Sequence, residues 1–88
     1  MLKVTGQTTD GKRVFGGMFK YYETDGLPLE VMMDWAERHT AVVDIHDFYL
    51  DAVNRGMRHG KVVSLIREAM MIKYRIDLID QLNLFAKG

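Results

Sequence analysis

The chain contains no cysteine and a single proline, and its twelve basic residues are balanced by twelve acidic ones. The first absence excludes disulfides and thiolate metal ligands. The second leaves everything after Pro28 free of helix-breaking rings. Zero net charge removes the overall basic footprint of a protein that coats nucleic acid. No stretch reaches the roughly 20 apolar residues of a membrane-spanning helix, and Met1-Leu2-Lys3-Val4-Thr5-Gly6 holds no apolar run of signal-peptide length. A cytoplasmic protein is therefore expected.

What is present is ordinary globular composition, 48% hydrophobic and 27% charged over 88 residues, which suits one small domain spanning residues 1–88. A domain of this size hides only about two-thirds of its unfolded surface. Without covalent staples it depends on close helix packing or on a partner subunit.

Residues that favour strands surround Asp10-Gly11, a dipeptide suited to a type I′ turn, so residues 1–24 read as a β-hairpin. Placing Thr9 opposite Lys12 sets Val4 against Gly17 and Gly6 against Phe15, with the large side chains on one face. Gly16-Gly17 interrupts the second strand, and Met18 to Glu23 is an alternative short helix. Asp25-Gly26-Leu27-Pro28 then opens a helix with proline at its first position. Leu29, Met32, Met33 and Ala36 form its buried stripe, Asp34 and Arg38 an i,i+4 pair, and His39-Thr40 its end.

Asp44 is placed to cap the next helix, with Asp47 reaching back from the third position and Val43 packing on Phe48. Gly56 suits the left-handed residue after its end, so the helix is expected from Ile45 to Arg55, completing a helical hairpin over 27–57. From Gly60 onward there is no proline and no further glycine before Gly88. Residues 58–88 therefore read as one long amphipathic helix, continuous or softly kinked near Lys73-Tyr74. The fold class is α+β, an N-terminal β-hairpin followed by three or four α-helices.

The period of that last helix matters for function. Val62, Leu65, Ala69, Ile72, Ile76, Ile79 and Asn83 alternate by three and four, the repeat of a coiled-coil seam, and Ile66, Met70, Leu82 and Phe85 widen it. About 25 helical residues measure roughly 37 Å, whereas a compact chain of this length has a radius of gyration of roughly 12 Å. Self-association through Leu65, Ala69, Ile72, Ile76 and Ile79 is the expectation. Trp35 and Tyr49 are further candidates for interface anchors.

Net neutrality conceals a polarised chain. Glu30, Asp34, Glu37, Asp44, Asp47 and Asp51 precede a stretch holding Arg55, Arg58, Lys61, Arg67, Lys73 and Arg75, with only Arg38 and Glu68 breaking the pattern. Two readings follow. The charges pair within the fold or between subunits, or Arg55, Arg58, His59, Gly60 and Lys61 gather around a helix start to bind an anion. The segment is not a P-loop, since Val62 stands where a hydroxyl residue would hold magnesium. Ala52, Gly56, Val62 and Leu65 also fit helix-turn-helix spacing, although Asp51 and Arg55 occupy positions that motif keeps apolar.

No nucleophile, histidine and acid share a recognisable spacing, and His39, His46 and His59 form no metal-ligand motif. Neither metal nor other cofactor is expected, and neither is enzyme activity. The leading expectation is a non-enzymatic homo-oligomeric binding or adaptor protein that presents its basic turn to a protein partner or a phosphorylated small molecule. A DNA-binding regulator and a nucleotide-sequestering protein are the alternatives.

Overall fold

The computed structural model describes residues 2–87, with side chains through Leu82, so the expectations for Asn83 and Phe85 lie outside the described residues. The first reversal is made by Thr8 rather than by Asp10-Gly11 alone. Its N–H donates to the Lys12 carbonyl at 2.8 Å, and its hydroxyl accepts from the Lys12 N–H at 2.9 Å. Gly11 supplies the positive φ of 88° inside this wider turn. Strand β1 (Lys3–Gln7) therefore pairs antiparallel with β2 (Arg13–Gly16) as Lys3 with Gly16, Val4 with Phe15, Gly6 with Val14 and Gln7 with Arg13. The irregularity between Val4 and Gly6 is a bulge at Thr5. This corrects the two-residue turn and the register expected from it.

The chain leaves the sheet at Gly16, which is buried and has no room for a side chain, since a Cβ there would lie 2.6 Å from the Thr5 methyl. Helix α1 (Phe19–Asp25) follows at once, so the helical alternative for Met18 to Glu23 is the one adopted. Helix α2 (Leu29–Arg38) buries Leu29, Met32 and Ala36, and Pro28 stands just outside it as the cap. After Thr40, a non-glycine residue at φ 56°, comes β3 (Ala41–Val43), a strand the sequence reading missed. It pairs parallel with β2, giving the sheet order β1-β2-β3, and the ladder continues as the Asp44 N–H donates to the Phe15 carbonyl at 2.8 Å.

Helix α3 (Ile45–Asn54) starts as its sequence dictates, with the Asp44 carboxylate accepting from the Asp47 N–H at 2.9 Å. Asp47 does not close a capping box. Its carboxylate accepts instead from the Gly17 N–H at 2.8 Å, tying the end of β2 to the start of α3. Gly56, at φ 101°, ends the helix, and α4 (His59–Lys87) runs as one continuous helix of 29 residues. Among the described residues no helix is long and apolar enough to cross a membrane.

The fold is α+β, a three-stranded sheet with four helices. Its core joins all of these elements except β1. Phe19, Leu29, Phe48 and Val62 are the largest fully buried side chains, and Phe19 meets Phe48 edge-on with ring centres 5.2 Å apart. α4 contributes Val62 and Ala69 along the side that α2 and α3 cover. The molecule measures 48 × 27 × 23 Å.

Asp44 carries three connections, because its second carboxylate oxygen accepts from the Thr5 hydroxyl at 2.6 Å. The Thr5 hydrogen bond, and then the Asp47 N–H, hold its pKa below the ordinary 3.8. A depressed carboxylate pKa stabilises the fold above the ordinary value, and that stabilisation is lost as pH falls through the folded value. Asp44→Ala should therefore cost about 1–2 kcal/mol near neutral pH in urea denaturation, and the deficit should narrow below about pH 4. A deficit that does not change with pH would mean that the charge of Asp44 is not what stabilises this junction.

Candidate functional site

The turn between α3 and α4 is closed by its own backbone. The Gly56 N–H donates to the Val53 carbonyl at 3.0 Å, the Met57 N–H to Ala52 at 3.1 Å, and the Val62 N–H to Arg58 at 3.1 Å. Two of the expected anion-facing side chains are committed elsewhere. Arg55 places Nη1 at 2.6 Å from Glu23 Oε1 and Nε at 3.3 Å from Asp51 Oδ1, and the bonds to Asp51 and Glu23 raise its pKa further. His59 Nδ1 lies 2.6 Å from the Tyr49 hydroxyl, which pins the first residue of α4 to α3. Arg58, Gly60 and Lys61 remain exposed, Gly60 with open space around its Cα, and neither Arg58 nor Lys61 has an ion pair among the described residues.

Along α4 the expected association seam is turned inward over most of its length. Ala69 is buried and Leu65 packs against the core cluster of its own chain, because α2 and α3 lie on this side. Ile72 and Ile76 are half-buried, and only Ile79, at 55% exposure, stands free. Ala69, at 1% exposure, and much of Leu65 are thus taken up by their own domain. A different row lines an open groove: half-buried Val63, then exposed Met70, Met71, Tyr74 and Leu78, with Arg67 and Arg75 beside them and Ile66 where the groove adjoins the core. Met71 is 55% and Tyr74 68% exposed. The signal was present in the sequence, since Val63, Arg67, Met70, Tyr74 and Leu78 recur by four, three, four and four. The arginine within the row hid it. Trp35 is held at one side by Phe15 and His39, with ring centres 6.1 and 4.6 Å away.

On the inward side sits a residue whose role the sequence reading did not identify. Lys73 is buried, with 9% of its surface exposed. Its ammonium lies 3.3 Å from Asp34 Oδ1 and 2.5 Å from Asp77 Oδ1, and is also paired with Glu37. Burial alone would depress the lysine pKa, but the bonds from Asp77, Glu37 and Asp34 outweigh it and raise the pKa above the ordinary 10.5. Asp34 moves the opposite way, lowered first by Arg38 and then by Lys73. The cluster fastens α2 to α4. Among the described residues no group of His, Asp and Glu could hold a metal ion.

Lys73→Met keeps much of the aliphatic stem but leaves three carboxylates facing one another. Because Glu37 and Asp77 reach water, the cost should stay near about 1–2 kcal/mol at neutral pH. It should fall as pH drops below about 4, because the carboxylates take up protons and no longer repel. Thermal melts of both proteins from pH 3 to pH 7 measure this, and a gap that widens in acid would contradict the assignment. The chain matches no protein-family model, no curated protein and no solved structure.

Proposed function

We propose that this protein is a non-enzymatic, self-associating binding domain whose α4 is the association element. The observation that carries the reading is the outward row of α4. Met70, Met71, Tyr74 and Leu78 are each more than two-fifths exposed, in a row lying about 80–180° round the helix from buried Val62 and Ala69. A helix with an apolar stripe on both sides has one more partner to find than its own domain supplies. Methionines suit such a surface, being flexible and polarisable.

Self-association leaves the basic turn free, and Arg58 and Lys61 form the surface offered to an anionic partner. The DNA-binding and nucleotide-sequestering alternatives draw on the same turn, and both have less to work with once Arg55 and His59 are bound by neighbours within the chain. Two cations per chain are few for phosphate contacts that must hold a duplex at physiological salt.

Sedimentation or light scattering over a dilution series tests the association. Wild type should show a concentration-dependent mass above that of one chain, and Met70→Glu, which places a charge in the exposed row, should be a folded monomer. A monomeric wild type at every concentration would end this reading. For the turn, Arg58→Ala with Lys61→Ala should leave the mass unchanged and abolish calorimetric binding of inorganic polyphosphate. Equal binding by the double variant would return these residues to plain solvated surface.

A further inference from the structure

We infer that the occupant of the outward face of α4 is the α4 of a second copy, running antiparallel, with the two-fold axis passing between Met70 and Met71. The inference rests on α4 being the association element, as proposed above, and adds its orientation and register. The apolar row begins at Val63 and ends at Leu78, and its midpoint falls between the paired methionines. Centring the axis there sets Val63 against Leu78 of the second copy, Met70 against Met71, and Arg67 against Tyr74. Every large member of the row then meets a member of the other row. Any other centre leaves one end of each row facing water.

Charge selects between the two orientations. A parallel, in-register pair stacks Arg67 on Arg67, like charges at the centre of a surface that loses water on association. The antiparallel pair separates the two Arg67 side chains by about seven residues of helix, roughly 10 Å, and the two Arg75 side chains by more. It gives each cation a partner as well. Arg67 lies over the Tyr74 ring of the other copy, a cation–π arrangement. Arg75 falls on the same flank as Glu68 of the other copy and within one helical turn of it. Glu68 is exposed and has no ion pair among the described residues. α2 and α3 pack on the side of α4 that buries Val62, Ala69 and Lys73, which leaves Met70, Met71, Tyr74 and Leu78 exposed to a second copy.

The absence of native cysteine makes the orientation directly measurable. Val63→Cys alone should not cross-link under mild oxidation, because the two copies of residue 63 sit at opposite ends of the paired rows. The double variant Val63→Cys with Leu78→Cys should give a covalent dimer on a non-reducing gel. The bond must join two chains, since the two positions lie about 22 Å apart on one helix, beyond the roughly 7 Å reach between disulfide-bonded Cα atoms. A second set of variants needs no cysteine: Glu68→Arg should weaken the dimer severalfold, and adding Arg75→Glu should restore it. Cross-linking by Val63→Cys alone would overturn the antiparallel orientation. A dimeric wild type whose double-cysteine variant is folded but does not cross-link would overturn the register. A monomeric wild type would instead remove the association reading beneath both.

Discussion

A helix of 29 residues is about 43 Å long, and the two shorter dimensions of this molecule are 27 and 23 Å. The rest of the chain can cover only one side of such a helix, and the structure is arranged around that constraint. α2 and α3 lie against one flank and place Leu29, Phe48 and Ala52 in the same core as Val62 and Ala69. The sheet packs chiefly on α2 and α3. α4 thus has an inner side that completes a domain and an outer side that does not take part in folding it.

The uneven charge along the sequence acquires a structural meaning in this arrangement. The acidic stretch and the basic stretch that follows are brought together at two points, where Asp34 and Glu37 of α2 meet Lys73 and where Asp51 of α3 meets Arg55. A buried lysine surrounded by three acids contributes modestly to net stability, since the cost of drying the ammonium offsets much of the attraction. Its larger effect is selective. Sliding α4 along α2 by one turn would take the ammonium away from Asp34 and Glu37 and leave it only Asp77 of its own helix, so the pairing fixes the position of α4 more firmly than interchangeable aliphatic contacts could.

The parts of the fold legible in the sequence are those decided locally. Asp44 and Gly56 bound α3 because a cap and a left-handed residue act within one turn, and the α2 stripe at Leu29, Met32 and Ala36 follows from helical period alone. What depends on distant partners was hidden. The hairpin register is set by the Thr8 hydroxyl and a bulge at Thr5, neither of which a two-residue turn signal reveals. Ala41–Val43 is too short to show a strand period, and it becomes a strand only because β2 lies beside it. The site divided in the same way. Arg58, Gly60 and Lys61 stand exposed where the sequence put them, while Arg55 was claimed by Glu23, 32 positions earlier. The inward and outward sides of α4 could not be assigned until α2 and α3 were placed, since both carry apolar residues at helical spacing.

The sheet has its own bearing on how copies of this chain can meet. An open strand edge is a ready template for another strand, and proteins that assemble in a controlled way make their edges unfit for that use. Both edges here are unfit. β1 is interrupted by its bulge, carries Lys3 and Gly6, and has no buried residue to fix a foreign strand in register. β3, at the other edge, is only three residues long. Continuous strand-to-strand growth, which has no natural end point, is thereby blocked. The two-fold pairing proposed for α4 uses helix side chains instead, and an isologous contact of that kind closes at two copies rather than extending into a fibre.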